Sequence, residues 1–178
     1  MTLLKENLRY AKLIFFLRDA EEKYKDVKDM LSSDVQKRIK QAMGNVRNAS
    51  DGFKSNELCF VHGDFHHGNT LVDKKGKIVG FIDLDWCRIG HPLEDLAYTV
   101  MMFLRQYTSE TIQFNKRHFQ KLLKWYNLDQ KLLDLFKEYF ILYTLYDVYI
   151  FKYASNLKNK EFYLNYQLSF LETVSDKF

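Results

Sequence analysis

The chain has 178 residues, of which 47% are hydrophobic and 28% charged, so it can form a folded core and is not intrinsically disordered. The net charge of +4 is spread along the chain without a block of like charges, which excludes a basic tail for nucleic acid. No charge-free stretch approaches the ~20 residues of a membrane helix, and no signal peptide is visible. Two cysteines are too few for a disulfide scaffold. We therefore expect a cytoplasmic protein without membrane or nucleic-acid partners.

The residues that interrupt helices are concentrated in the middle of the chain. Five of the seven glycines lie between Gly63 and Gly90, and the only proline, Pro92, follows them. The flanks therefore predict helices, and the centre predicts loops and short strands. We expect a single, mostly helical α+β domain over residues 1–178, with three regions: helical over 1–50, a loop and β-hairpin over 58–90, and helical over 92–178.

The first flank predicts two helices. An amphipathic helix is predicted over residues 3–24 from apolar residues at helical spacing: Leu4, Leu8, Ala11 and Phe15. Ser33 and Gln36 form a capping box that opens a second helix, and Gly44 is expected to end it.

The centre predicts three short strands. Residues 58–61 form an apolar strand, and residues 70–73 and 77–82 form a hairpin. The turn of this hairpin contains Gly76, at a position that needs a positive φ angle.

The second flank predicts four helices. The first begins at Pro92, which suits the first turn of a helix, and the others are expected over residues 110–126, 129–154 and 160–176. The helix over 129–154 is apolar nearly all round, so we expect it to be central and buried.

The residues that carry chemistry lie between His62 and Asp95. Asp64 is followed five residues later by Asn69, which is the spacing of a kinase catalytic loop. In such a loop the Asp receives the proton of the substrate hydroxyl and the Asn binds a metal ion. The predicted hairpin brings Asp83 beside Asn69 and within reach of Asp64. We therefore expect Asn69 and Asp83 to supply oxygen ligands for Mg²⁺, with Asp64 left to orient an acceptor hydroxyl.

Three segments of this region resemble the aminoglycoside phosphotransferase and choline kinase superfamily. They are His-Gly-Asp-(x)4-Asn beginning at His62, Ile-Asp ending at Asp83, and Gly-x-Pro-x-x-Asp-Leu-Ala beginning at Gly90. The specific match covers residues 58–105. The resemblance implies the C-terminal lobe of a protein-kinase-like fold, with a small central β-hairpin that carries the site.

The resemblance also implies an activity and a role for each matching residue. It implies an ATP- and Mg²⁺-dependent phosphotransferase that acts on a hydroxyl of a small molecule, with Asp64 as the catalytic base and Asn69 and Asp83 as the Mg²⁺ ligands. His62 would anchor the loop, and Asp95 would brace it by accepting hydrogen bonds. Members of the superfamily act on antibiotics, choline, sugars and homoserine, and the sequence does not select among these acceptors.

The N-terminal lobe of such kinases, with its glycine-rich loop and phosphate-binding lysine, has no counterpart in this sequence. The residues before His62 predict helices, so the nucleotide-binding lobe is expected to be absent. The chain is then a fragment of a larger kinase, a natural short form, or a non-catalytic scaffold or binding module. Since a lobe without its partner exposes the face that should meet it, we expect a partner lobe or a homodimer at that face.

His66 and Asp147 are candidate substrate contacts. His66 lies in the predicted catalytic loop, where it can face the site. Asp147 lies beside a stripe of tyrosines at helical spacing, for which core packing is the favoured interpretation. The members of the stripe are Tyr139, Tyr143, Tyr146, Tyr149 and Tyr153. The alternative is a pocket wall whose aromatic faces and single carboxylate hold a cationic acceptor.

The histidines of this region also raise two metal-based alternatives to the phosphotransferase. His62 and His66 would share a face only on a helix, and the neighbouring Gly63 and Gly68 indicate a loop instead. The segment over 63–68 is similar to the first metal motif of metallophosphoesterases, but that class needs further ligand segments, and no Gly-Asn-His occurs here.

Overall fold

The structure is a computed structural model that describes residues 16–107, 112–154 and 160–177. The described helices are α1 (16–27), α2 (Ser33–Asp51), α3 (Pro92–Phe103), α4 (Lys116–Tyr126), α5 (Gln130–Tyr153) and α6 (Lys160–Lys177). The strands are β1 (Cys59–Val61), β2 (Thr70–Val72), β3 (Ile78–Phe81), β4 (Arg88–Gly90), β5 (Arg105–Tyr107) and β6 (Ile112–Phe114). They form three antiparallel pairs, β1 with β4, β2 with β3, and β5 with β6. The predicted fold class, mostly helical α+β with a small central hairpin, is confirmed.

The chain divides into two compact units. One comprises Met1–Gly52 and Lys137–Phe178, and the other comprises Phe53–Phe136. The first unit is helical in its described residues, and its buried apolar side chains include Ile39, Val46, Phe140, Leu145 and Leu171. Two members of the tyrosine stripe, Tyr139 and Tyr143, are also buried there, with their ring centres 5.7 and 5.3 Å from that of Phe16. For these two tyrosines, core packing is the interpretation that holds.

The second unit contains the predicted hairpin and is organised around α3. Pro92 occupies the first turn of α3, as predicted, and the apolar face of this helix is buried: Leu93, Leu96, Ala97, Val100 and Met101. This face packs against β1 and β5. This packing fixes the position of the start of α3 relative to the end of β1. The candidate catalytic loop follows β1 directly.

Several predicted elements are found at the expected places. The hairpin turn has Gly76 at a φ of +77°, as expected. Helices α5 and α6 match the predicted ranges 129–154 and 160–176 to within one residue at each end.

No helix in the described ranges is long and apolar enough to span a membrane.

The second helix differs from its prediction at both ends. Its cap is Ser32, whose hydroxyl accepts the Val35 N–H at 3.4 Å, and the helix continues through Gly44 to Asp51. A glycine inside a helix costs only about 1 kcal/mol relative to alanine. Burial of Val46, two residues further along, offsets that cost, so packing decides where the helix ends.

Residues 92–178 are predicted to be helical, but the structure contains a β-hairpin after α3. β5 and β6 form a hairpin, and α4 begins at Lys116 rather than at 110. The extended segment is rich in β-branched and aromatic residues, which favour strands, and the Asn115 side chain caps α4 by accepting the His118 N–H. Residues 3–15 of the predicted first helix lie outside the described part of the chain.

Candidate active site

The loop that follows β1 is held by the first turn of α3. The backbone N–H groups of His62 and Gly63 donate to the two carboxylate oxygens of Asp95 at 2.6 and 2.8 Å. Because one carboxylate binds two successive peptide groups, the position and the orientation of the loop backbone are both defined. This places the next residue, Asp64, directly beside α3.

Both oxygens of the Asp64 carboxylate accept hydrogen bonds. The phenol of Tyr98 donates to Oδ1 at 2.7 Å, and the side-chain amide of Asn69 donates to Oδ2 at 3.2 Å. The same amide also donates to the Asp64 carbonyl at 3.0 Å, and Asn69 is buried. The loop therefore brings together the two residues whose spacing suggested a catalytic loop.

The end of β3 is joined to this loop through Ile82. Its backbone N–H donates to the Asn69 carbonyl at 3.1 Å, and its own carbonyl accepts the Nε2–H of His62 at 3.0 Å. Asp83 follows directly, with a φ of +62°, and its side chain is exposed. The fold thus places the backbone of Asp83 next to Asn69, fourteen residues away in sequence.

Asn69 and Asp83 carry the types of oxygen atom that bind a hard divalent cation. Since the Asn69 amide nitrogen faces Asp64, its Oδ1 is left as an acceptor, and none of the described residues donates to it or to the Asp83 carboxylate. Amide and carboxylate oxygens are the protein ligands that Mg²⁺ prefers. No group of three or more His, Cys, Asp or Glu that could hold a metal occurs among the described residues.

Two of the three histidines of the loop, His62 and His66, use their rings for local structure. The backbone N–H of Gly68 donates to Nδ1 of His66 at 3.0 Å, so in the neutral ring the proton is on Nε2. This Nε2 lies 3.6 Å from Asp64 Oδ2, which is too far for a direct hydrogen bond. His66 therefore presents an N–H donor toward the candidate base, while His62 is committed to Ile82. This arrangement is not that of a two-histidine metal site.

A buried ion pair joins β4 to the first turn of α3. Arg88 and Glu94 form an ion pair at 2.6 Å, and Glu94 also accepts the His91 N–H at 2.9 Å. Burial raises the pKa of Glu94, against the opposing influence of the Arg88 guanidinium and of the His91 N–H. Burial also lowers the pKa of His91, whose Nδ1 caps α3 by accepting the Leu93 N–H.

Gly63 is required where the loop turns past β4. Its φ is +80°, and a Cβ atom there would lie 2.5 Å from the carbonyl oxygen of Trp86, which is backbone and cannot rotate away. We expect Gly63→Ala to lower the free energy of unfolding by about 2–4 kcal/mol, as the sum of backbone strain and overlap. Urea unfolding measures this loss.

Gly76→Ala is the matched control. Gly76 has nearly the same φ, +77°, but no atom lies within 4 Å of the Cβ position. Only the backbone strain remains, so the expected loss is about 1 kcal/mol. Equal losses for the two variants would contradict the close approach of Gly63 to Trp86.

One residue of the site, Tyr98, is additional to the predicted set, and one predicted residue, Asp147, lies in the other unit. Tyr98 was not predicted, although it follows Asp95 by three positions and so lies on the same face of a helix, which was the available signal. Asp147 is buried in α5, in the unit that includes Lys137–Phe178, whereas the candidate site lies in Phe53–Phe136. Its role as a substrate contact stays a prediction.

Known proteins share parts of this chain's sequence and structure. The family model described as the phosphotransferase enzyme family matches residues 6–127. A segment of 59 residues is 36% identical to acyl-CoA dehydrogenase family member 11 of Rattus norvegicus, and covers 33% of this chain and 7% of that protein. Macrolide 2′-phosphotransferase type I, a solved structure, is 18% identical with a TM-score of 0.47, over 87% of this chain and 47% of that chain. The chain thus spans less than half the length of either protein.

Proposed function

The chain belongs to the phosphotransferase enzyme family, and from this premise we propose that its candidate site transfers a phosphoryl group from ATP to a hydroxyl of a small molecule, with Mg²⁺ as cofactor. The observation that carries the proposal is the convergence of Asp64, Asn69 and the end of β3. Two hydrogen bonds from the Asn69 amide and one from the Ile82 N–H join these segments.

Asp64 is the proposed base. Its carboxylate is about three-quarters buried and is oriented by two donors, so it can receive the proton of an acceptor hydroxyl placed against it. Phosphoryl transfer needs little covalent help from the protein, because positioning and charge stabilisation account for most of the rate enhancement. His62 and Asp95 contribute by holding the loop that carries Asp64.

Asn69 and Asp83 are the proposed Mg²⁺ ligands. When bound, the cation would neutralise charge on the phosphate oxygens of ATP. The residues themselves supply one amide oxygen and one carboxylate, presented by segments that the Ile82 hydrogen bonds hold together.

His66 is the proposed contact to the reacting groups. Its Nε2–H faces the region beside Asp64 Oδ2 and can donate there to an oxygen of the acceptor substrate or of the phosphoryl group.

Asp147 remains a proposed contact for a cationic acceptor such as an amino sugar or a choline-like amine.

We expect Asp83→Asn to weaken Mg²⁺-dependent ATP binding by about tenfold or more. The substitution removes the negative charge from the ligand set, and asparagine tolerates the positive φ of this position, so the backbone is retained. Calorimetric titration of the chain with ATP, at several Mg²⁺ concentrations, measures the change.

Asp85→Asn serves as the control, because Asp85 is an exposed carboxylate only two residues further along the chain. Its substitution should leave Mg²⁺-dependent binding within twofold of the wild type. A similar loss in both variants would assign the effect to the general negative charge of the loop and would remove Asp83 from the ligand set.

A non-catalytic binding module is the second candidate, and the exposed apolar surface of the second unit favours it. Its exposed members are Phe60, Leu71, Val72, Ile78, Val79, Phe81, Ile82, Leu84, Trp86 and Ile89. A two-stranded ribbon is marginally stable in water, so a partner lobe or a second copy is proposed to cover this surface. Absence of ATP binding at millimolar ATP and Mg²⁺ would favour this candidate, and sedimentation as a monomer at high concentration would argue against a second copy.

A further inference from the structure

One face of α3 makes two separate contacts with the candidate catalytic loop. Asp95 binds the backbone N–H groups of His62 and Gly63, and Tyr98 donates its phenol proton to Oδ1 of Asp64. Residues three apart on a helix lie on the same face, so both contacts come from one rigid element. Asp95 therefore defines where the loop backbone lies, and Tyr98 contacts the reactive side chain itself.

The hydrogen bond from Tyr98 restricts the rotation of the Asp64 carboxylate. At 2.7 Å it is the shorter of the two bonds made by the carboxylate oxygens, since the Asn69 amide is 3.2 Å from Oδ2. Tyr98 is only partly exposed and belongs to a helix that packs against β1 and β5, so the backbone from which the phenol extends is fixed. A short, charge-assisted bond from a fixed donor holds the carboxylate in one orientation.

Accordingly, we propose that Tyr98 is a positioning residue for phosphoryl transfer, which holds Asp64 in the orientation that receives the acceptor proton. This inference rests on the proposed function. The phenol occupies one lone pair of Oδ1, so the acceptor hydroxyl meets one of the remaining lone pairs of the carboxylate. Tyr98 touches neither ATP nor the acceptor in this role, and it acts only through Asp64.

The test is Tyr98→Phe, which removes one oxygen atom and keeps the ring. We expect kcat to fall about tenfold while the KM for ATP changes less than twofold, because orientation of the base affects the chemical step and not ground-state binding. ADP release from Mg²⁺-ATP, with amino sugars, choline or homoserine as acceptors, measures both constants. Tyr126→Phe is the matched control, since Tyr126 ends α4 in the same unit and is largely exposed.

A melting experiment tests the contact without relying on turnover. We expect Tyr98→Phe to lower the melting temperature when it is made in the wild type. The decrease should be smaller when it is made in Asp64→Ala, because that variant has already lost the carboxylate that accepts the phenol hydrogen bond. Additive shifts, a kcat within twofold of the wild type, or a rise in KM with kcat unchanged would each overturn the inference. If the proposed function is wrong, the wild type itself releases no ADP. The melting comparison then still tests whether Tyr98 holds the Asp64 carboxylate.

Discussion

Asp64→Asn is expected to lower kcat for phosphoryl transfer by about 10²- to 10⁴-fold, the range that general-base catalysis contributes. Asparagine has nearly the same shape, and its amide oxygen can still accept the Tyr98 hydrogen bond. The 3.2 Å bond from Asn69 to Oδ2 is lost, but the 3.0 Å bond from Asn69 to the backbone carbonyl of residue 64 is unaffected, so the loop should keep its structure. What is lost is the ability to receive the acceptor proton. ADP release under saturating Mg²⁺-ATP measures the effect.

Two controls separate loss of the base from loss of the site. Mg²⁺-dependent ATP binding by Asp64→Asn should remain within a few-fold of the wild type, because Asn69 and Asp83 are unchanged. Asp85→Asn should retain full turnover. If Asp64→Asn keeps a kcat within tenfold of the wild type, Asp64 is not the base.

Arg88→Met is expected to lower the free energy of unfolding by about 3–5 kcal/mol near pH 8, the range for breaking a buried ion pair from one side. Glu94 is only 1% exposed, and Arg88 is its charged partner at 2.6 Å. Without the guanidinium, Glu94 must either remain charged in an apolar environment or take up a proton. Urea unfolding at several pH values measures the loss.

The pH dependence follows from the raised pKa of Glu94. Between the ordinary glutamate pKa and the raised pKa, the native state binds more protons than the unfolded chain, so the contribution of Glu94 to the free energy of unfolding falls as pH increases. Removal of Arg88 raises the pKa further, since the guanidinium lowers it in the wild type. The destabilisation of Arg88→Met should therefore be smaller near pH 5 than near pH 8.

The double variant Arg88→Met/Glu94→Gln is the decisive comparison. Glutamine keeps an oxygen that can accept the His91 N–H but has no charge to leave unpaired. We expect it to recover a large part of the stability lost in Arg88→Met and to abolish the additional pH dependence. If the double variant is as unstable as Arg88→Met at pH 8, packing of the arginine stem rather than charge accounts for the loss.

The prediction of the fold succeeded where the local pattern is strong. Pro92 at the start of α3, the apolar run of α5 and the glycine of the β2–β3 turn each depend on the backbone chemistry or hydrophobic pattern of a few neighbouring residues. The prediction was wrong at Gly44, where burial of Val46 carries the helix past a residue that usually weakens it. It was also wrong for the β5–β6 hairpin, because strands of three residues are too short for a periodicity that distinguishes a strand from a helix.

The contacts within the candidate site are likewise of two kinds: some follow from local spacing and one depends on tertiary packing. The spacing of Asp64 and Asn69 is local, so the sequence alone indicated their proximity, and a short hairpin was enough to bring the Asp83 backbone beside Asn69. The Tyr98 contact with Asp64 depends on how α3 packs against β1, which no local pattern encodes.

The order of residues alone determined the central loop-and-hairpin region, most of the helices described on either side of it and the family to which the chain belongs, because these depend on spacing within short segments. Only the tertiary structure decided that the Asp64 carboxylate lies between a phenol and an amide, and that Arg88 neutralises a buried glutamate. Hydrogen bonds and ion pairs between distant segments form only after helices and strands have packed, and that packing is set by burial of many apolar side chains at once.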